Sequence, residues 1–172
     1  MTSGWQHESS EQSSWAGWVV QHAPRLLLFA RQQARCEADA QDLVQEAMVE
    51  CWRRQADGAP PPLPAVFATI RLRAVDVARR QDRRANREAI AMLEAPQCWF
   101  DASLENRERN RLIEEAMLHL PQIYREVVTL KVWGELTFTE IAEALDIPAN
   151  TAASRYRYGL AELRKRTQGV LA

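Results

Sequence analysis

Two short amphipathic helical patterns, separated by only a few residues, lie within residues 137–166. Thr137 and Glu140 have the spacing of a capping box, in which each side chain bonds the backbone N–H of the other residue. Pro148 holds the residue before it in an extended backbone, so the first helix must end near Asp146. A second helix can begin directly after this break, because proline suits the first turn of a helix. The stretch therefore predicts two helices joined by a tight turn.

The second helix of this pair combines an apolar stripe with a polar outward face. We predict an inward stripe of Ala152, Tyr156, Leu160 and Leu163. The outward and boundary positions hold Asn150, Thr151, Ser154, Arg155, Arg157 and Tyr158. Such side chains bond base edges or phosphates, and the pattern is that of a helix-turn-helix whose second helix enters a DNA major groove. An ordinary helical hairpin with a solvated basic face is the alternative that these residues leave open.

The charges are balanced overall but unevenly distributed along the chain. The formal net charge is −1, from 22 basic and 23 acidic side chains. Arginines cluster within residues 71–87 and basic residues again within 155–166, whereas acidic side chains dominate residues 37–50. Because local clusters matter more than the total for binding phosphates, this pattern predicts two kinds of partner.

Several classes of protein are disfavoured by what the chain lacks. Its three cysteines and three histidines are widely spaced and show no metal-ligand pattern, and its six glycines leave little material for phosphate-binding loops. We expect a protein that is not an enzyme and that uses no cofactor and no metal. The polar N-terminus and the absence of a long apolar run predict a cytoplasmic protein without membrane insertion.

Helical periodicity continues along most of the sequence, and no strand is predicted. We predict helices over residues 15–34, 39–54, 65–87, 104–120 and 121–133, before the pair described above. The expected buried stripe of the second helix is Val44, Ala47, Met48, Cys51 and Trp52. The proline-rich stretch 57–64 is predicted to be a stiff loop, and Gly134 a helix C-terminal cap.

The chain is therefore predicted to be all-α, with two small helical domains joined by a linker, the C-terminal one containing the helix-turn-helix. The predicted bounds are a disordered tail at residues 1–14, a first domain at 15–88, a linker at 89–109 and a second domain at 110–172.

The order of these motifs resembles a known family. The stretch "HAPRLLLFARQQARCEADAQDLVQEAMVECWRR" is similar to region 2 of the extracytoplasmic-function (ECF) sigma factors, which are transcription-initiation subunits of bacterial RNA polymerase in the sigma-70 superfamily. The stretch "LPQIYREVVTLKVWGELTFTEIAEALDIPANTAASRYRYGLAELRKR" is similar to their region 4. Both stretches in this order, over residues 15–166, make the resemblance specific.

The resemblance implies that the first domain docks on core RNA polymerase. The residues that match the family's docking motif are Asp39, Asp42, Leu43, Gln45 and Glu46. An acidic helix face suits a basic partner surface, where charge complementarity supplies orientation and association rate. Without the resemblance, the same residues would be interpreted as a solvated carboxylate face.

The third predicted helix resembles the family segment that holds the melted −10 promoter element. The residues we assign to the single strand are Phe67, Arg71, Arg73, Arg79 and Arg80. Arginines would hold phosphates and Phe67 would stack on a base, unless it is a core residue. Asp76 is expected to orient a neighbouring arginine. This chain has Ala65 and Leu72 where the family often has Trp and Asn, and its preceding loop is proline-rich with few polar base readers.

Region 4 is implied to read the −35 element as duplex DNA, through Asn150, Thr151, Ser154, Arg155, Arg157 and Tyr158. Ala152 and Ala153 stand where the family pattern has Val and Lys. The missing lysine removes one phosphate contact, so non-specific affinity should be lower and less dependent on salt.

The implied function is that of a sigma factor directing promoter recognition, DNA melting and initiation. The implied partners are core RNA polymerase, promoter DNA (duplex at −35, melted at −10) and an anti-sigma factor. Because the chain ends soon after Arg166, we expect that regulator to be a separate protein. Two alternatives stay open: a helix-turn-helix regulator that binds duplex DNA as a dimer, and a protein-binding adaptor derived from a sigma factor.

Overall fold

The computed structural model describes residues 7–55, 59–85, 99–100 and 107–167. In these ranges the chain forms seven α-helices and no strand, which confirms the all-α prediction. The helices are α1 (His7–Arg31), α2 (Glu37–Arg53), α3 (Leu63–Ala85), α4 (Arg107–Leu118), α5 (Gln122–Val132), α6 (Phe138–Leu145) and α7 (Ala149–Thr167). None of the described helices is both long enough and apolar enough to cross a membrane.

The chain divides into two compact units, Met1–Ala95 and Pro96–Ala172. The first contains α1, α2 and α3, and the second contains α4 to α7. The predicted linker at residues 89–109 falls across this division. Two of its residues, Trp99 and Phe100, pack within the second unit, and Trp99 is only 4% exposed. These two positions of the predicted linker therefore take part in the packing of the second unit, while the bounds of the linker stay a prediction.

The first unit is a three-helix core in which each helix contributes an apolar stripe. Leu26 and Phe29 of α1 are fully buried, together with Val66, Phe67 and Ile70 of α3. The rings of Phe29 and Phe67 pack edge to face with centroids 5.3 Å apart. Burial of aromatic and branched side chains in such a core supplies roughly 1.5–3 kcal/mol each, which fixes how the helices pack.

The helices of the first unit differ from prediction at the start of α1 and at Trp52. Helix α1 begins at His7, inside the segment expected to be disordered, since extending an existing helix costs far less than starting one. The same helix runs through Pro24 without a break. Trp52, predicted to be buried, is 49% exposed and stacks on Trp15, with ring centroids 6.1 Å apart.

The turn between α1 and α2 is held by one ion pair and one cap. Arg31 donates from Nε to Oε2 of Glu37 at 2.8 Å and from Nη2 to Oε1 at 3.0 Å. These bonds favour the ionised carboxylate, so the pKa of Glu37 is lowered. Cys36 caps α2, with its Sγ accepting from the backbone N–H of Asp39 at 3.4 Å. Together they fix where the acidic helix begins.

The second unit packs α5, α6 and α7 around a continuous core. Val127 and Leu130 of α5, Ile141 of α6 and Ala152 of α7 are fully buried. Gly159, rather than the predicted Leu160, faces α5: an added Cβ there would lie 2.8 Å from Cγ2 of Val128. Leu160 is 39% exposed, so the predicted stripe is wrong at this position by one residue.

Candidate nucleic-acid and protein interfaces

The start of α6 confirms the predicted capping box. Thr137 donates its backbone N–H to Oε2 of Glu140 at 2.7 Å, and Glu140 donates its N–H to Oγ1 of Thr137 at 3.2 Å. The bond from the Thr137 N–H is the main reason that the pKa of Glu140 is lowered. Leu136 and Ile141, on either side of the cap, are both buried. The entry angle of the helix pair is therefore set locally.

The turn between α6 and α7 is as tight as the sequence predicts. Asp146 takes a left-handed backbone with φ 54° and ψ 55°, a conformation that Asp tolerates better than most residues. The N–H of Ile147 donates to the carbonyl of Ala142 at 3.1 Å, and the N–H of Thr151 to that of Pro148 at 2.9 Å. The two helices form a helix-turn-helix that presents one face of α7.

That face of α7 forms an open groove together with the first turn of α5. The groove is lined by Ile123, Tyr124, Asn150, Thr151, Ser154, Arg155 and Tyr158. Five of the six residues predicted for duplex DNA are thus brought together. Arg157 is exposed beside the groove, with its guanidinium 5.4 Å from the centre of the Tyr158 ring.

Two groove residues were missed by the sequence interpretation. Ile123 is 46% exposed, and the ring of Tyr124 lies 6.4 Å from that of Tyr158. Both belong to α5, for which the sequence predicted a helix and no DNA contact. The available signal was their position just after Pro121, at the start of a helix that packs against α7.

The acidic residues of α2 form a ridge that we call the carboxylate ridge: Asp39, Asp42 and Glu46. They line one cavity with Ala74, Val77 and Ala78 of α3. Asp42, Gln45 and Glu46 are exposed, whereas Leu43 is 4% exposed and belongs to the core. Leu43 supports the ridge from beneath and offers little surface of its own.

The α3 residues predicted to bind the single strand do not form one exposed surface. Phe67 is 1% exposed, so the core alternative holds and its ring is closed to a base. Arg73 is bound to Glu50 of α2, through Nε at 3.0 Å and Nη2 at 2.6 Å. The same carboxylate pairs with Arg54, and its pKa is lowered chiefly by the bond from Arg73. Arg79 and Arg80 are exposed, and Arg71 is half-buried.

The proline-rich loop is partly an anchor for α3. Pro61 is fully buried, and the carbonyl of Pro62 accepts from the N–H of Ala65 at 3.0 Å. Leu63 and Pro64, predicted to be loop, form the first turn of α3, which is a position that proline accepts. Residues 57 and 58 of the predicted loop lie outside the described ranges. Leu72 is 63% exposed on α3.

Each of the two units matches a known family model. The family model described as Sigma-70 region 2 matches residues 18–84, and that described as Sigma-70, region 4 matches residues 110–163. The two matched segments contain the carboxylate ridge and the groove of α7, respectively.

Curated proteins give the same result, and a solved structure has a similar fold. The RNA polymerase sigma-E factor of Streptomyces avermitilis is 30% identical over 142 residues, which cover 81% of this chain and 77% of that protein. The ECF RNA polymerase sigma factor RpoE of Cereibacter sphaeroides is 26% identical over 86% and 83% of the two chains. In fold, the chain is similar to the sigma factor RpoE of Bartonella quintana, solved with the anti-sigma factor NepR. The TM-score is 0.67 at 18% identity, over 89% of this chain and 96% of that one.

Proposed function

The chain belongs to the sigma-70 family as an ECF RNA polymerase sigma factor, and on that premise we propose how its two units divide promoter recognition. The first unit binds core RNA polymerase and the melted −10 strand. The second reads the −35 element as duplex DNA. The polymerase carries out the chemistry, and this chain is not an enzyme.

Docking on core polymerase is assigned to the carboxylate ridge. The single observation that carries it is the grouping of Asp39, Asp42 and Glu46 along one cavity of the first unit. Three carboxylates on one edge favour a basic partner surface, and they steer association more than they add affinity. Exposed carboxylates at Asp42 and Glu46 also suit a symmetric dimer interface poorly, because two copies would place like charges together.

The −10 strand is assigned to the exposed part of α3. Arg71, Arg79 and Arg80 would hold phosphates, while Arg73 remains tied to Glu50. Because Phe67 is buried, we assign the apolar contact with an unstacked base to Leu72, which is 63% exposed. An aliphatic contact gives less than the roughly 1–3 kcal/mol per base of aromatic stacking, so −10 selectivity should be modest.

The −35 duplex is assigned to the groove face of α7. Asn150, Ser154 and Arg157 supply donors for base edges, whereas Thr151, Arg155 and Tyr158 would contact phosphates and sugars. Tyr124, across the groove, adds a further hydroxyl from α5. One face of α7 thus carries both residues that would recognise bases and residues that would position the protein on the DNA backbone.

The working location follows from the partners. A chain that acts on core polymerase and promoter DNA works in the bacterial cytoplasm. Its similarity in fold to a sigma factor solved with an anti-sigma factor supports regulation by a separate anti-sigma protein.

The test uses purified core RNA polymerase and sheared genomic DNA of the source bacterium. With the chain added, start-site sequencing should recover a small set of promoters that share blocks near −35 and −10. Core enzyme alone should give only scattered starts. If adding the chain leaves the start sites unchanged, the proposed function is wrong.

A further inference from the structure

One side chain in the groove of α7 differs chemically from its neighbours. Ile123, in the first turn of α5, is 46% exposed and lines the groove. The other lining residues, among those that the structure describes, are polar or aromatic: Tyr124, Asn150, Thr151, Ser154, Arg155 and Tyr158. The groove therefore presents one aliphatic side chain on a surface that otherwise offers hydrogen-bonding groups.

The position of Ile123 is fixed by the close packing of α5 on α7. Gly159 of α7 lies against α5, where an added Cβ would be 2.8 Å from Cγ2 of Val128 and 3.3 Å from Cβ of Tyr124. The ring of Tyr124 also lies 6.4 Å from that of Tyr158. Because Ile123 directly precedes Tyr124 on α5, it is held beside the groove face of α7.

We propose that Ile123 recognises the 5-methyl group of a thymine in the −35 element. The proposal rests on the proposed function, in which the groove face of α7 enters the major groove. Thymine presents its methyl group in that groove, where apolar side chains can contact it. Ile123 thus adds a base contact of a different chemical kind from the hydrogen bonds assigned to α7.

The exposure of Ile123 makes such a contact favourable. An aliphatic side chain that is nearly half exposed in the free protein loses further contact with water when DNA fills the groove. Removing one methyl group from water is worth about fourfold in affinity. Deoxyuridine pairs with adenine as thymidine does and lacks only this methyl group, so replacing thymidine by deoxyuridine measures the contact directly.

The test measures the binding of holoenzyme, assembled from core polymerase and the full chain, to a promoter recovered by start-site sequencing. Each thymine of the −35 block is replaced in turn by deoxyuridine. The affinity for each substituted promoter is divided by the affinity for the unsubstituted one. A general loss of DNA binding in a variant therefore cancels from this ratio.

Two substitutions of Ile123 are compared with one control. Ile123→Ala removes most of the aliphatic side chain and suits a helix, because alanine is the best helix former. Ile123→Val keeps a branched side chain and removes a single carbon. Val132→Ala is the matched control, because Val132 is 45% exposed on the same helix and is not among the described residues that line the groove.

With the wild-type chain, deoxyuridine at one position should lower affinity about fourfold. Ile123→Ala should abolish that sensitivity, and Ile123→Val should retain part of it. Val132→Ala should keep the wild-type ratio. Any effect of deoxyuridine on the shape of the DNA itself would be the same for every variant.

Equal ratios for wild type and Ile123→Ala at every position would overturn the proposal, as would a −35 block that contains no thymine. Reduced co-elution of Ile123→Ala with core enzyme, together with unchanged ratios, would overturn it in favour of a protein contact. If circular dichroism shows that Ile123→Ala does not fold, a full fourfold sensitivity in Ile123→Val would overturn it. Absence of promoter-selective binding by the wild-type holoenzyme would instead count against the proposed function.

Discussion

Arg73 of α3 donates two hydrogen bonds to a single carboxylate oxygen of Glu50 on α2, at 3.0 Å from Nε and 2.6 Å from Nη2. The bonds that Arg73 donates to Glu50 are the main reason that the pKa of Arg73 is raised, and the charges of Glu46 and Asp76 act in the same direction. Arg73 thus interacts with two carboxylates of α2, Glu50 and Glu46, and with Asp76 of its own helix. Its guanidinium joins α2 and α3, although the sequence alone predicted that it binds the DNA strand.

We predict that Arg73 contributes little to DNA binding until Glu50 is neutralised. Arg80→Ala should make the salt dependence of open-complex formation shallower by about 0.7 in log–log slope, the loss of one single-strand phosphate contact. Arg73→Ala should leave the slope unchanged, and Glu50→Gln should steepen it by up to about 0.7 by releasing Arg73. The measurement is holoenzyme binding to a promoter at several salt concentrations. Equal slopes for Arg73→Ala and Arg80→Ala would contradict this assignment.

Charge reversal on the carboxylate ridge should abolish polymerase binding and leave the fold intact. Asp42 and Glu46 are exposed on α2, so Asp42→Arg with Glu46→Arg adds no buried charge but opposes a basic partner. The measurement is co-elution with core enzyme, with circular dichroism as the check on folding.

The matched control for that pair is Glu115→Arg with Glu143→Arg, which makes the same change of charge at exposed positions of α4 and α6. It should retain co-elution. Loss of binding in both double variants would show that total charge, rather than the ridge, governs association.

Arg157→Ala should weaken −35 recognition specifically. If the guanidinium makes a bidentate base contact, the loss is about 1–3 kcal/mol, or roughly 5–150-fold in affinity for the specific promoter. Arg164→Ala, at the exposed end of the same helix, should affect all sequences alike or not at all. Footprints of the −35 region on specific and scrambled promoters separate the two. An unaltered footprint with Arg157→Ala would remove this residue from base recognition.

The capping box of α6 should be worth about 1 kcal/mol to the helix-turn-helix, the usual cost of replacing a Thr cap with Ala. Thr137→Ala should accelerate hydrogen exchange of the α6 amides by about fivefold at that cost. Thr139→Ala, two residues along on the exposed face of α6, should have little effect. Equal protection in the two variants would show that the cap is dispensable.

Glu140 gives the same box a dependence on pH. Its folded pKa is lowered from the ordinary value of 4.5, chiefly by the backbone N–H of Thr137. Stability from a lowered pKa is present above the ordinary value and is lost as pH falls through the folded pKa. The difference in α6 protection between wild type and Glu140→Gln should therefore be largest near neutral pH and shrink below pH 4.5. A difference in protection that stays constant across that pH range would show that the charge of Glu140 does not stabilise the capping box.

Local features of this fold could be predicted from the sequence, because their determinants are a few residues apart. The Thr137–Glu140 cap and the left-handed Asp146 depend only on their own neighbours. The outward face of α7 follows from helical periodicity once the helix start is known. Even on α7, the predicted buried stripe was wrong by one residue, with Leu160 in place of Gly159. Only the packing against Val128 shows that Gly159 makes the close contact.

Features that depend on distant partners could not be predicted in this way. Arg73 and Glu50 are 23 residues apart, and nothing near either residue indicates the pairing. Phe67 could equally well stack on a base or fill a core until Phe29 is seen against it. Trp99 and Phe100 lie in a segment without periodicity, and their place depends on Glu114 and Trp133.

The most direct test of the account is run-off transcription by purified core polymerase on one promoter recovered by start-site sequencing, with its −35 and −10 blocks scrambled separately. We expect a discrete transcript that requires this chain and is lost with Asp42→Arg plus Glu46→Arg. Its yield should fall more when the −35 block is scrambled than when the −10 block is. Transcription that does not depend on the added chain, or that ignores both scrambled blocks, would contradict it.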